Sequence, residues 1–436
     1  MKMLKTVTLG ALALATVGAM NAETIKFTGS TAFRKATFAA TIDYLNGAAN
    51  TTPVYAAYVA SAGSATAIGG TNQVTFTNGT DTVQFCVAGS VGGVEWVTTQ
   101  VDVRTGLTAN DVAARAWIAR PANYATAWST VSYSGTTPAT ATITGGTYLG
   151  TNSGAPAATW EAASAAQACM SDSFQGSTPF DAATTGVDMA DNQVGVVSFI
   201  LAKGLKGATV PQASYDRFTN MTGLQFQALA SNGTASLALI TGNSADTGVT
   251  VALIGRDTDS GTRLVTFAET AFGPVTAFAT QYRAFSSGNV DCGLTTGTID
   301  HLTSAGDGLA GYPSGGQLKK VLQSTNAITA PTILVGYAGI ADTPGAAQQL
   351  NWAGVPYSDA AVLLGNYSFW AYQHMYTLPA GVANPYNSYV MPQSKVDLAN
   401  AIAVKMADTA VMSGTKLADM QCVRYGVEGT VISPNY

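Results

Sequence analysis

The sequence predicts an α/β protein, and three observations carry that prediction. Apolar runs of strand length, Gly195–Ala202 (GVVSFILA) and Val249–Ile254, read as strands buried on both faces. Segments with helical spacing alternate with them, notably Ala32–Leu45, with Phe33, Ala36, Ala40 and Tyr44 inward, and Lys395–Met412, with Val396, Leu398, Ile402 and Met406 inward. Three strand-to-helix junctions share one chemistry, small polar residues where a helix begins. Such alternation predicts mainly parallel sheets. The 436 residues are enough for two or three domains or lobes, with a core that needs no disulfide staple.

The elements follow in order. Lys2 and Lys5 precede an apolar, small-residue stretch from Thr6 to Met20. It is shorter than the about 20 residues that span a bilayer, so residues 1–22 are expected to be a secretory signal, cleaved after Ala22 or Ala19. No Cys follows the stretch, so no lipid anchor is expected, and the product should be periplasmic or secreted. Thr24–Phe27 alternates as a short strand, and Gly29-Ser30-Thr31 leads from it into the first helix with Ser30 or Thr31 as N-cap. Val83–Val87 reads as a strand ending in Gly89-Ser90-Val91-Gly92-Gly93, ahead of a helix from Val94. Pro121–Trp160 has no charged residue and reads as a β-rich insertion with long loops; a linker is the alternative, against which Trp128, Tyr133 and Tyr148 argue for packing. GVVSFILA is followed by a helix over Gly223–Ala230 and by the strand Val249–Ile254. Gly255–Thr262 then leads to an apolar helix over Leu264–Phe272, and Ile333–Tyr337 is a further strand. No internal repeat is visible.

Charge narrows the function. The chain holds 20 basic and 25 acidic residues, net −5, and only 10% of its residues are charged, against about 25% in ordinary soluble proteins. Loss of the signal deletes two Lys and no acid, leaving net −7. No dense Lys/Arg run interrupts this, so the basic footprint of a nucleic-acid binder is excluded. His301 and His374 are the two histidines, too few and too distant for a metal cluster or a catalytic triad. No Gly-x-Ser-x-Gly elbow is present. No cofactor, no metal and no enzymatic activity are therefore expected.

The three junctions point to an anion instead. A helix N-terminus presents unsatisfied N–H groups and about half a positive charge, and small residues let an anion approach them. A Ser or Thr before a helix is ordinarily just its cap, so each junction alone has that simpler reading. Arg256 stands four residues before Ser260, directly after an apolar strand. Its planar fork suits a tetrahedral oxyanion; pairing with Asp257 or Asp259 is the alternative.

Here a family resemblance appears. GRDTDSGTRLVTF (Gly255–Phe267) resembles the Arg-x-x-x-Ser-Gly-Thr segment of bacterial periplasmic phosphate-binding proteins, the solute receptors of phosphate ABC transporters in the type II periplasmic binding protein superfamily. FTGSTAF (Phe27–Phe33) resembles the family's first strand–helix turn, VAGSVGGVEWV (Val87–Val97) its Gly-Ser-x-Gly-Gly turn, and MSDSF (Met170–Phe174) its Ser-Asp segment. GVVSFILA, ILVGYAGIAD (Ile333–Asp342) and the segment Leu350–Tyr376 resemble, in order, its later strands and closing segment. The resemblance implies a two-lobed fold with a β-rich insertion in the first lobe. Its first lobe would run from 23 to 193 with the insertion at about 97–165, its second from 194 to 339, and residues 340–436 would return through the hinge to lobe one.

By position, the resemblance implies oxyanion contacts from Ser30, Thr31 and Ala32, from Ser90, from Asp172, and from Arg256, Ser260, Gly261 and Thr262. Asp172 would accept the proton of phosphate, which fully ionised sulfate lacks; a helix cap is its simpler reading. The implied partners are phosphate or a similar oxyanion and an ABC permease, with no nucleic acid, for a monomeric receptor. Two features depart from the family. Ser90 and Asp172 are 82 residues apart, where members keep these turns close, and Thr258 stands where typical members carry an acid. Four cysteines in an exported chain suggest two disulfides with three possible pairings. Cys86–Cys169 with Cys292–Cys422 is preferred, since Cys86 and Cys169 each precede a segment placed at one site; buried free thiols are the alternative. Trp352, Tyr357, Phe369, Trp370 and Tyr372 are expected in the core and at the lobe contact, with an aromatic sugar platform as the alternative. A surface structural or adhesive protein reusing the fold is the alternative function, and a secreted phosphatase-like enzyme has little support.

Overall fold

The structure, a computed structural model, describes residues 22–32, 34–60, 67–87, 89–100, 117–134, 142–151, 160–161, 165–273, 281–283, 300–302, 311–312, 314–408 and 415–435. Residues 1–21, Phe33 and Cys292 lie outside these, and with them nearly all of the expected signal and one half of an expected disulfide.

The chain opens with β1 (Thr24–Gly29) and helix α1 (Arg34–Asn46), then β2 (Tyr55–Ala60), β3 (Gln73–Thr77) and β4 (Thr82–Cys86). β1 and α1 bury alternate or near-continuous apolar positions, and Phe27, Phe38, Phe76 and Phe85 meet with ring centroids 4.9–6.0 Å apart. Such ring contacts add roughly 0.5–1.5 kcal/mol each beyond their buried area. Helix α2 (Ser90–Thr99) is buried along its whole length. It begins four residues earlier than the sequence suggests, so the Gly-Ser-x-Gly-Gly segment forms its cap and first turn. The weak helix propensity of glycine hid that start; packing decides it, because a Cβ on Gly93 would lie 2.4 Å from Gly29 Cα.

The insertion supplies β5 (Trp117–Ile118), β6 (Ser129–Ser134), β7 (Thr142–Gly145), β8 (Thr147–Thr151) and β9 (Trp160–Glu161). β6 and β8 both pair with β2, so the uncharged excursion widens the first lobe's sheet. Trp128 is buried, Tyr133 half-buried and Tyr148 exposed. β10 (Ala168–Ser171) returns the chain to the centre, parallel to β1.

β11 (Ala190–Lys203) is the longest strand. After it come β12 (Asn220–Met221), the helix Gly223–Asn232, β13 (Thr234–Ser236), β14 (Thr250–Leu253) and helix α3 (Gly261–Glu269). β15 (Gln281–Arg283) and β16 (Asp300–Leu302) pair antiparallel. The helix Gly315–Leu322, β17 (Thr332–Gly339), β18 (Gln349–Trp352), β19 (Trp370–Thr377) and helix α4 (Gln393–Asp408) follow, and β20 (Cys422–Arg424) pairs with β21 (Ile432–Pro434). α4 lies beside α1, tied by Lys405 Nζ to Asp43 Oδ2 at 2.8 Å.

One sheet runs through the molecule in the order β13-β14-β17-β11-β19-β10-β1-β4-β3-β2-β6-β7. It is mixed, not mainly parallel. Parallel pairs occur at β10-β1-β4 and β14-β17, where helices cross over. β2-β3-β4 is a meander whose short connections, without a crossover helix, force antiparallel neighbours, and β11 runs antiparallel to both β17 and β19.

The protein is a two-lobed α/β structure. One apolar core gathers Ile25, Phe27, Phe85, Trp117, Met375 and Met406; a second gathers Val196, Phe199, Phe226, Val251, Tyr337 and Trp370. The change of core falls on two neighbouring strands: between Val194 and Val196 on β11, and between Tyr372 and Met375 on β19. The β11–β19 register shifts between Gln193 and Gly195 at that level. His374 Nδ1 and Asp191 join the strands there at 2.9 Å. Leu350, Trp352, Phe369, Trp370, Tyr372, Met420 and Cys422 belong to the second core, whereas the sequence reading had the chain returning at 340. Trp352, Phe369, Trp370 and Tyr372 are buried as expected, with Tyr357 packed beside them.

The Cys86–Cys169 disulfide is overturned. Neither Cys86 nor Cys169 is in a disulfide, and nor is Cys422. β1 lies between β4 and β10, which separates the two residues by about two strand spacings, roughly 9–10 Å, against the roughly 4.4–6.8 Å between Cα atoms that a disulfide tolerates.

Candidate functional site

The first junction is built by close backbone approach. Gly29 has φ +106°, and a Cβ there would lie 2.0 Å from Met170 O. Ser30 N–H donates to Met170 O at 2.7 Å, two residues before Asp172. The Ser30 hydroxyl accepts from Ala32 N–H at 3.1 Å, a local turn. Ser30 is buried, and Thr31 and Ala32 are half-buried.

At the second junction Gly89, φ +101°, caps α2. Its N–H donates to Gly29 O at 2.9 Å, locking the first two junctions together. The orphan donors of α2 are not all open to a ligand. Val91 N–H and Gly92 N–H donate to the carbonyl of Asp259 at 2.9 and 3.4 Å, so the third junction itself caps this helix.

At the third junction Ser260 caps α3, its side chain accepting from Arg263 N–H at 3.3 Å. Gly261 and Thr262 form the first turn and are buried. Arg256 is also buried; its N–H donates to the Tyr337 hydroxyl at 3.1 Å and its Nε to Tyr312 O at 3.0 Å. Arg263 stacks over Phe267 at 5.2 Å and donates to Arg256 O at 3.1 Å.

Asp172 is where the junctions meet. It is 1% exposed. The Ser90 hydroxyl donates to its Oδ1, and the Asp172 N–H donates back to Ser90 Oγ at 3.3 Å. Thr262 Oγ1 donates to Oδ2 at 3.5 Å, a long contact. A Cβ on Gly261 would fall 1.6 Å from Oδ1 and 2.6 Å from Ser90 Cβ; no side chain fits there. Burial pushes the Asp172 carboxyl above its ordinary value, while the Ser90 hydrogen bond and the charge of Arg256 pull against that shift.

Of the expected residues, Ser90, Asp172, Gly261 and Thr262 are in contact, Arg256 acts on Asp172 electrostatically, and Ser260 shapes the turn. Ser30 joins through its backbone. Thr31 makes no hydrogen bond among the described residues. Arg34 escaped the sequence reading. At the start of α1 it donates to Asn72 Oδ1; burial disfavours its cation, and the negative charge of Asp342, from the other lobe, supports it. The legible signal was a cation in the first turn of a helix, against the macrodipole. Among the described residues no group of His, Cys, Asp and Glu could hold a metal ion, and no described helix is long and apolar enough to cross a membrane.

No protein-family model matches the chain, and no curated protein matches it. Solved structures do resemble it. A phosphate ABC transporter substrate-binding protein with bound phosphate from Clostridium perfringens is 10% identical, with a TM-score of 0.44 over 90% of this chain and 100% of that one. An ABC-type phosphate transport receptor from Vibrio cholerae is 10% identical, with a TM-score of 0.40 over 89% and 98%. PstS from Borrelia burgdorferi is 10% identical, with a TM-score of 0.36 over 90% and 99%. Identities this low transfer no residue role to this chain.

Proposed function

We propose that the protein is an exported, non-enzymatic solute receptor that captures an oxyanion, phosphate before others, between its lobes and delivers it to an ABC importer. The observation that carries this reading is the meeting of Ser90, Asp172, Gly261 and Thr262 at two helix N-termini, with the buried Arg256 acting on Asp172. Lobe one would comprise residues 22–194 and about 375–408, lobe two about 196–372 and the tail, with the hinge on β11 and β19.

In this reading Arg256 supplies charge, and the N–H groups of Gly261 and Thr262 with the Ser30–Ala32 turn supply donors. Asp172, when ionised, accepts the hydroxyl of hydrogen phosphate. Sulfate at neutral pH offers no proton and meets an unpaired carboxylate, which disfavours it. Ligand touching both lobes shifts the population towards closure. Calorimetry on the mature, monomeric protein tests the reading. Phosphate should bind with a large preference over sulfate at neutral pH; absence of phosphate heat between pH 5 and pH 8 overturns it.

A further inference from the structure

After α4 the chain runs back along the joint between the lobes. Thr415 pairs with Val196 of β11, with N–H···O distances of 3.0 and 3.2 Å. Met420 and Cys422 enter the second core. The end of β20 and the turn that follows it then carry two buried charged residues, Arg424 and Glu428, into contact with both lobes.

Arg424 is 4% exposed. It pairs with Glu269 Oε1, at the far end of α3, at 2.6 Å. It also donates to Thr430 O at 2.8 Å and to Ser368 O at 2.9 Å, and its guanidinium lies 4.9 Å over the Trp370 ring. Gly429 N–H donates to the same Glu269 oxygen at 3.0 Å, and a Cβ on Gly429 would lie 2.5 Å from Ala268 O. The turn is thereby fixed to lobe two. Glu428, 5% exposed, faces the other way. Its Oε1 accepts Phe174 N–H at 2.6 Å and its Oε2 accepts the Ser177 hydroxyl. That loop is anchored to lobe one by Gln175, whose Nε2 donates to Val187 O at 2.6 Å and whose N–H donates to the Tyr376 hydroxyl at 3.0 Å.

The two segments joined by this turn are the two that meet at the oxyanion site. α3 starts at Gly261 beside Asp172 and ends at Glu269; the loop starts at Asp172 and reaches Phe174 and Ser177. A rigid tail therefore couples their far ends. Rotation about β11 and β19 would leave the Arg424–Glu269 side intact, break the bonds at Glu428 and draw Phe174 off the second core. Those charge-assisted hydrogen bonds exist only while the two lobes are together, so they favour the closed arrangement.

We propose that Glu428 is a latch between the lobes, a positioning residue that lengthens the dwell time of the bound oxyanion without touching it. The latch rests on the receptor reading above for its ligand, but its geometry can be measured without ligand. Glu428→Ala removes both acceptors and Glu428→Gln keeps one. In the intact mature protein, X-ray scattering without ligand should show a larger radius of gyration for Glu428→Ala. Stopped-flow release of inorganic phosphate should be about tenfold faster, as expected for losing a charge-assisted hydrogen bond, with the association rate unchanged and Glu428→Gln in between. A lowered melting temperature with unchanged radius of gyration and release rate overturns the latch. If Glu428→Ala does not fold, Ser177→Ala removes one donor and is read the same way. If phosphate binds to no variant, including the parent, the receptor reading fails, and the scattering comparison still decides whether the latch exists.

Discussion

Gly261, at the start of one lobe's helix, lies against Asp172 of the other lobe so closely that a Cβ would sit 1.6 Å from the carboxylate oxygen. This position is fixed by neither backbone dihedral nor local propensity, since Gly261 opens an ordinary helix capped by Ser260. The requirement arises across the lobe contact. Gly261→Ala should leave each lobe folded and prevent full closure. The expected outcome is an expanded radius of gyration in phosphate and a loss of binding of about 5- to 150-fold or more, since a clash of this kind costs roughly 1–3 kcal/mol or more. Scattering and calorimetry on the same sample check both.

Asp172→Asn should lower selectivity for phosphate over sulfate by about 10- to 100-fold, the scale of one hydrogen bond to a charged group. The pH dependence has a definite sign. Burial raises the Asp172 carboxyl, so acidification neutralises it earlier than an ordinary Asp. Sulfate affinity in the parent should therefore improve as the pH falls, and Asp172→Asn should abolish that trend. Sulfate titrations between pH 4.5 and pH 8 measure it.

Arg256→Ala removes charge common to every oxyanion. Phosphate and sulfate should weaken together, by roughly 2–5 kcal/mol each, leaving their ratio nearly unchanged. Competition calorimetry separates this pattern from that of Asp172→Asn.

Glu269, 5% exposed at its side chain and facing Arg424 and Glu428, is pushed up to about 7 by burial, with Arg424 opposing. Its folded value lies above the ordinary 4.5, so the folded state holds the extra proton between those limits. Stability from this group is complete below about pH 4.5 and is lost as the pH rises through about 7, by roughly 3 kcal/mol. Glu269→Gln should flatten that part of the melting-temperature profile between pH 4.5 and pH 8.

Cys86 and Cys169 lie on strands separated by β1. A reductant should leave the melting temperature unchanged, and alkylation of the unfolded, unreduced protein should label both residues, as read by mass spectrometry.

The sequence alone determined the order of the elements and the chemistry of the junctions. β11, β14, β17 and α4 were legible because their apolar periodicity is a local property of the chain, and the Ser-Gly-Thr turn because a helix cap has a local signature. The tertiary structure decided the rest. The mixed sheet, the separation of Cys86 from Cys169 and the return of the chain on β19 depend on which strands become neighbours, and no local pattern encodes that. The Asp259 carbonyl capping α2, the fit of Gly261 against Asp172 and the bridge at Glu428 each join residues distant in sequence, and Arg34 meets Asn72 and Asp342 in the same way. Their energies arise from burial and from partners supplied by the other lobe, and those exist only once the chain has folded.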